Sequence, residues 1–228
     1  MAVNSMRRAA VLAAAMLAAA AAAGGGAAAA GGAAAAGGAA AAEPALTAKA
    51  FSNDDAGFAI FRDRVAAMNG RNLLARKGVK MDSAIGQSNL LMLADGEVGS
   101  RGNEGRVNID GSPTVITCCL GSVKPIHEIG LFTFNGDSRA NQDYEVRFAD
   151  NSGQPGKKPK FPDKPDLTTG PAILGQNQGG FHTSFTAKGG GVLAKADWVE
   201  LRIWQTLGSK AGAPAHGGNG WTAPTSGG

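Results

Sequence analysis

Asp143-Tyr144-Glu145-Val146-Arg147-Phe148 decides the fold. Charged and apolar residues alternate strictly. In an extended strand this puts Tyr144, Val146 and Phe148 on one face and Asp143, Glu145 and Arg147 on the other. Working outward, the same period of two recurs. Ile129-Leu131-Thr133 alternates with Phe132-Phe134, Phe181-Thr183-Phe185 with His182-Ser184-Thr186, and Val199-Leu201-Ile203 with Trp198, Glu200, Arg202 and Trp204. Gly121-Ser122, Asn135-Gly136-Asp137-Ser138 and Gly189–Gly191 separate the runs as turn clusters. Parallel pairing requires crossovers of a dozen or more residues, usually helical, and no such segment intervenes. The expected fold is all-β, an antiparallel sandwich or barrel.

Before these strands, residues 43–51 read as a linker. Ser52, with Asp55 three residues on, resembles a capping box, and Phe58, Phe61, Val65 and Met68 then recur at helical spacing. One short amphipathic helix is expected, ending near Asn69-Gly70. Cys118 and Cys119 sit side by side in the β-branched run Thr114–Leu120, so they face opposite sides of a strand and act as small apolar residues rather than as a disulfide. Residues 150–166 hold Pro155, Pro159, Pro162 and Pro165 with Lys157, Lys158, Lys160 and Lys164. Prolines exclude this stretch from a central strand, and it reads as an exposed loop inserted between strands. The Gly-, Ala- and Pro-rich tail, residues 208–228, is expected to be disordered.

The first 42 residues contain 24 Ala and 7 Gly, with Arg7 and Arg8 as the only charges. Met6-Arg7-Arg8 precedes an uninterrupted apolar run to Ala23, the pattern of a secretory signal. Four-alanine blocks separated by glycine pairs follow, a disordered spacer with no side chain able to fill a core. The run is short and weakly apolar for a membrane span. The expected location is therefore secreted, periplasmic or cell-surface, with no span in the mature protein. Cleavage after Ala23 or after Ala42 and a retained N-terminal anchor both stay open.

Beyond the leader, 20 Lys+Arg face 18 Asp+Glu, so the alkaline character of the whole chain is half leader. No concentrated basic face is legible, which argues against nucleic acid. The three histidines are scattered and no CxxC occurs, so zinc has no support. Nucleophile-elbow, P-loop and HExxH patterns are absent, and no enzymatic activity is expected. The richest polar stretch is Asn135–Asp143, where Asp137, Arg139 and Asn141 offer the planar carboxylate, guanidinium and amide groups that meet vicinal hydroxyls. Gln176-Asn177-Gln178 and His182 would join them if the loops converge.

Asn72-Leu73-Leu74-Ala75, Leu93-Ala94-Asp95-Gly96, the strand ending Leu120-Gly121, Ile126–Leu131 and Tyr144-Glu145-Val146 follow one another in an order that resembles the galactose-binding-like jelly roll of the discoidin, or coagulation factor 5/8 type C, family. The resemblance covers about residues 69–207 and rests on order and spacing. Cys119 departs from it, standing where that family carries Asp before Leu-Gly. It implies a jelly-roll sandwich whose loops at one end bind a ligand, often a sugar. It also implies a structural calcium beside the Asp-Gly turn, with Asp95 and Glu97 as carboxylate ligands. Calcium takes six to eight oxygens, several of which such a turn could supply as carbonyls. Two functions are expected from this: an exported carbohydrate-binding module, or an exported structural or adhesion module meeting a protein or the cell envelope.

Overall fold

The computed structural model describes residues 12–18, 43–52, 54–83, 90–96, 98, 114–135, 142–154, 157–169 and 179–205. Its strands are β1 (Leu12–Ala18), β2 (Pro44–Ser52), β3 (Lys80–Ser83), β4 (Thr114–Ile126), β5 (Glu128–Asn135), β6 (Gln142–Ala149), β7 (Leu167–Thr168), β8 (Gly179–Ala187) and β9 (Ala194–Gln205), with one α-helix, α1 (Asp55–Asn69). Sheet A runs β1-β5-β8-β2 and sheet B runs β3-β4-β9-β6-β7, and every pairing is antiparallel. The chain changes sheet between β2 and β3, β4 and β5, β5 and β6, β7 and β8, and β8 and β9, in the manner of a jelly roll. The all-β expectation holds: two antiparallel sheets form a sandwich with one helix.

Alternation dictates the layers. Ile129, Leu131 and Phe185 from sheet A meet Ile116, Cys118, Tyr144, Val146, Val199, Leu201 and Ile203 from sheet B in one buried core. The other face of sheet A carries Phe132 and Phe134, which pack with Phe51 and the helical residues Phe61, Val65 and Met68 in a second core. Phe61 is the hub of an aromatic cluster, edge-on to Phe51 and Phe132 with ring centroids 5.4 and 5.9 Å away. Two glycines let the helix come this close. A Cβ on Gly180 would stand 2.8 Å from Phe61 Cδ2, and one on Gly130 would stand 2.7 Å from Met68 Cε. The architecture is thus helix, sheet A, sheet B.

Three details differ from the sequence reading. Asp54, not Ser52, caps α1: its carboxylate accepts from the Gly57 amide at 2.6 Å and from the Ser52 hydroxyl at 2.9 Å. Residues 44–51, read as part of a linker, form β2 along β8 together with Ser52. This strand lies at the sheet edge and is exposed for most of its length, so its small and polar residues carry no clean alternation to read. Finally, Leu12–Ala18, inside the apolar leader, pairs with β5 from Leu12 opposite Phe134 to Ala18 opposite Glu128. Residues 19–42, the tail 208–228 and the 136–141 turn lie outside the described residues. No described helix is long and apolar enough to cross a membrane.

The cysteines behave as read. Cys118 and Cys119 are free and buried. Cys118 belongs to the inter-sheet core, and burial pushes its thiol up to about 12, which keeps it protonated and inert. Cys119 pairs across the ladder with Trp198 on the opposite face of sheet B.

Candidate functional site

Since Tyr144, Val146 and Phe148 serve the core, Asp143, Glu145 and Arg147 project from the outer face of sheet B. On β9 the same rule sends Trp198, Glu200 and Arg202 outward. Register sets the charges opposite one another, Glu145 against Arg202 and Arg147 against Glu200. Favourable cross-strand pairs of this sort also fix register. Arg147 Nη2 lies 2.9 Å from Glu145 Oε2, Arg147 Nη1 lies 3.7 Å from Glu200 Oε1, and Arg202 Nε donates to Glu200 Oε1 at 2.9 Å. Arg147 and both glutamates are buried, whereas the Arg202 side chain is 36% exposed. Buried charges persist only when paired, and Arg147 meets both glutamates here, although its Nη1 reaches Glu200 only at 3.7 Å and has no hydrogen-bond partner among the described residues. Breaking this array by removing one member would leave its partners buried and unmatched.

Residues 150–166 cross this face. Arg147 Nε and Nη2 donate to the carbonyls of Pro162 and Asp163, both at 3.0 Å. The Phe148 amide donates to Asp166 Oδ2 at 2.7 Å and the Asp166 amide to the Val146 carbonyl at 2.9 Å. At the other end the Asn151 amide donates to Asp197 Oδ1 at 2.8 Å. The expected loop is therefore a strap laced to the strands below it.

Asp143 stands at the start of β6, close in sequence to Asp137, Arg139 and Asn141. It is buried, and desolvation pushes its carboxyl up to about 7 against the opposing effect of the Thr169 hydroxyl, 3.4 Å from Oδ1. Thr169 also accepts from the Tyr144 amide at 2.9 Å, tying β6 to the end of β7. One titratable group near neutrality, beside a row of fixed charges, is what ligand sites tend to show.

Of the sequence-derived site residues, Asp137, Arg139 and Asn141 lie outside the described residues, as do Gln176, Asn177, Gln178 and Glu97. His182 is described and is not at a loop. It lies on the outer face of sheet A beneath α1, stacked on Phe132 with centroids 4.1 Å apart and planes 2° from parallel. The even positions of β8 face the helix, which a reading of β8 in isolation does not reveal. Arg64 Nε from the helix lies 3.5 Å from His182 Nδ1, and Nε2 lies 4.0 Å from Glu128 Oε1. Glu128 instead accepts from the Ser184 hydroxyl at 2.6 Å. Burial first, then Arg64 and Lys49, hold the His182 imidazole down at about 4, so it is neutral under ordinary conditions. A buried neutral imidazole here packs the helix onto the sheet; it does not meet a ligand from solvent.

At the Asp-Gly turn, Asn69 Nδ2 donates to the Asp95 carbonyl and Asn72 Nδ2 to the Ala94 carbonyl, each at 3.0 Å. A Cβ on Gly96 would fall 2.1 Å from Asn69 Nδ2, so the turn closes tightly over that amide. Amide protons thus engage the carbonyls that calcium would use, and among the described residues no three His, Cys, Asp or Glu side chains converge on a cation position. The Asn72 of the resembling motif has a structural role, since its Oδ1 also accepts from the Leu74 amide at 3.0 Å.

What sequence reasoning missed is the outer face of sheet B. Its signal was present in the alternation of β6 and β9, whose polar positions are as regular as the apolar ones.

No family model and no curated protein matches this chain. Among solved structures, one described as CpGH89CBM32-6 produced by Clostridium perfringens is similar over 61% of this chain and 90% of its own, at 14% identity and a TM-score of 0.34. So loose a likeness places no side chain of this protein.

Proposed function

We propose that the protein is an exported, non-catalytic binding module for carbohydrate, with the ligand held where the 136–141 turn enters β6. The observation that carries this reading is the charged row Asp143, Glu145 and Arg147 with Glu200 and Arg202, which begins at that turn and runs along one face of sheet B. Of this row the Arg202 guanidinium stands partly in solvent, where it can donate in a fixed plane to sugar hydroxyls, while the buried Glu200, Arg147 and Glu145 behind it hold it in place. Arg139, Asp137 and Asn141 would add the same chemistry from the turn itself. Glu145 and Glu200 clamp one arginine between them, a structural use of two carboxylates rather than an acid–base pair across a cleft.

A glycan array probed with the full chain and with Arg139→Ala tests the site. Retention of one or more neutral glycans, reduced about tenfold or more in the variant, is expected for loss of a charge-assisted contact. Equal signals would remove Arg139, and an array with no retained glycan would leave the adhesion role as the better reading.

Export belongs to the same proposal. It rests on Arg7-Arg8 and the apolar run behind them. Mass spectrometry of the protein recovered from outside the producing cell should show an N-terminus beyond Ala23; retention of Arg7 and Arg8 would overturn cleavage. Both cores are built from residues between Phe51 and Ile203, so the mature chain would keep them.

A further inference from the structure

The strap over sheet B carries four lysines that the fold does not use. Lys157, Lys158, Lys160 and Lys164 are all exposed. Among the described residues none of them lies within ion-pair distance of a carboxylate. The acids nearby are engaged differently: Asp166 turns its carboxylate inward to the Phe148 amide, and Asp150 accepts from the Ser152 amide at 3.0 Å. Between residues 157 and 166, four lysines therefore face two aspartates, one of them spent on the backbone.

The segment is also held in place. Pro159, Pro162 and Pro165 recur every third residue, the repeat of an extended polyproline helix, which has little conformational freedom left to lose on binding. Its carbonyls at Pro162 and Asp163 are pinned by Arg147, and Lys157 is fixed through its own carbonyl, which accepts from Asn151 Nδ2, and through its amide to Gln154. At roughly 3 Å per residue, Lys157 and Lys164 are about 20 Å apart along such a segment. A small anion would engage one end of it, whereas a polymer with repeated negative charge would engage it all. Half-buried Phe161 adds an apolar ring among the lysines.

We propose that residues 157–164 bind an acidic polysaccharide, a chain bearing carboxylates or sulfates at regular intervals, and so set the ligand class of the module. This rests on the carbohydrate reading above. A polysaccharide fits better than a nucleic acid because the domain beyond the leader has a surplus of only two positive charges, concentrated in this one short strap.

The test measures binding of the full chain to polygalacturonate, to the neutral glucan pullulan and to a duplex DNA, at low and at threefold higher salt. Polygalacturonate should bind, weakening roughly tenfold as salt rises, because displaced counterions drive the contact. The triple variant Lys158→Gln, Lys160→Gln, Lys164→Gln should lose about tenfold in affinity while keeping its melting temperature, since all three side chains stand in water. Equal binding by the variant, salt-independent binding, or tighter binding to DNA would each overturn the proposal. If pullulan or array glycans bind the variant and the wild type alike, the carbohydrate module stands and only its acidic specificity falls. If no saccharide binds either protein, both readings fall.

Discussion

Asp143→Asn is expected to raise the melting temperature by roughly 8–16 °C at pH 8 and to change it little at pH 4. The Asp143 carboxyl is buried on the outer face of sheet B, and desolvation moves it from 3.8 to about 7. A carboxyl whose value in the folded state lies above its unfolded value binds its proton more tightly when folded. Its contribution is therefore present in full below about 3.8 and is lost as pH rises through about 7. At pH 8 the ionised group costs on the order of 4 kcal/mol relative to the protonated one. For a domain of this size each kcal/mol is worth about 2–4 °C. Asparagine has the shape of the protonated acid and no charge to bury, so it escapes the penalty above neutrality and gains nothing in acid. Scanning calorimetry of both proteins at the two pH values decides the matter. A drop at pH 8, or the same shift at both pH values, would mean that the folded protein does not penalise the ionised Asp143 carboxylate.

The parts of the fold readable in the sequence are those where one period dominates. From Tyr144 to Phe148 in β6 and from Val199 to Ile203 in β9 every second residue is apolar, and those residues do pack in or against the inter-sheet core, as do Ile129 and Leu131 of β5 and Phe185 of β8. The helix was readable because Phe61, Val65 and Met68 must share a face, and they do. Two things were not readable, for one reason each. β2 is an edge strand exposed along most of its length, with Phe51 buried near its end, so no regular alternation marks it as a strand. The position of α1 on the far side of sheet A is a tertiary fact, and with it the burial of His182, Ser184 and Phe132, which from β8 and β5 alone could equally face solvent. The candidate site divides along the same line. Asp143, Glu145 and Arg147 were on view as the polar half of an alternation, but their partners Glu200 and Arg202 come from a strand more than fifty residues later in the chain, brought alongside by register alone.

The two buried titrating groups work in opposite directions, and the second prediction follows from that opposition. His182 is depressed to about 4 from 6.5, so the folded state resists protonation that the unfolded chain accepts. Its stabilising neutrality is present above about 6.5 and is lost as pH falls towards 4, a change of about 3 kcal/mol. The charged and titratable groups facing it are Arg64 from α1, Lys49 from β2 and Glu128 from β5; the two cations oppose a protonated imidazole, and Glu128, 4.0 Å from Nε2, is already bound to Ser184. Asp143 over nearly the same range gains what His182 loses. The wild-type protein should therefore show a shallow dependence of stability on pH between about 4 and 6.5, and each single variant should uncover one limb. In Asp143→Asn the unfolding free energy should fall by about 3 kcal/mol across that interval, as the histidine acts alone. In His182→Asn the baseline should drop by about 2–3 kcal/mol at neutral pH, since the stack on Phe132 is lost and a void remains under the helix, yet stability should then climb as pH falls. Other carboxylates titrate in all three proteins and cancel when slopes are compared rather than absolute values. Urea denaturation at half-unit pH steps supplies those slopes. Parallel curves for wild type and His182→Asn would show that the imidazole titrates in the folded protein as it does in water, and with that the account of α1 as a helix sealed over a neutral histidine would fail.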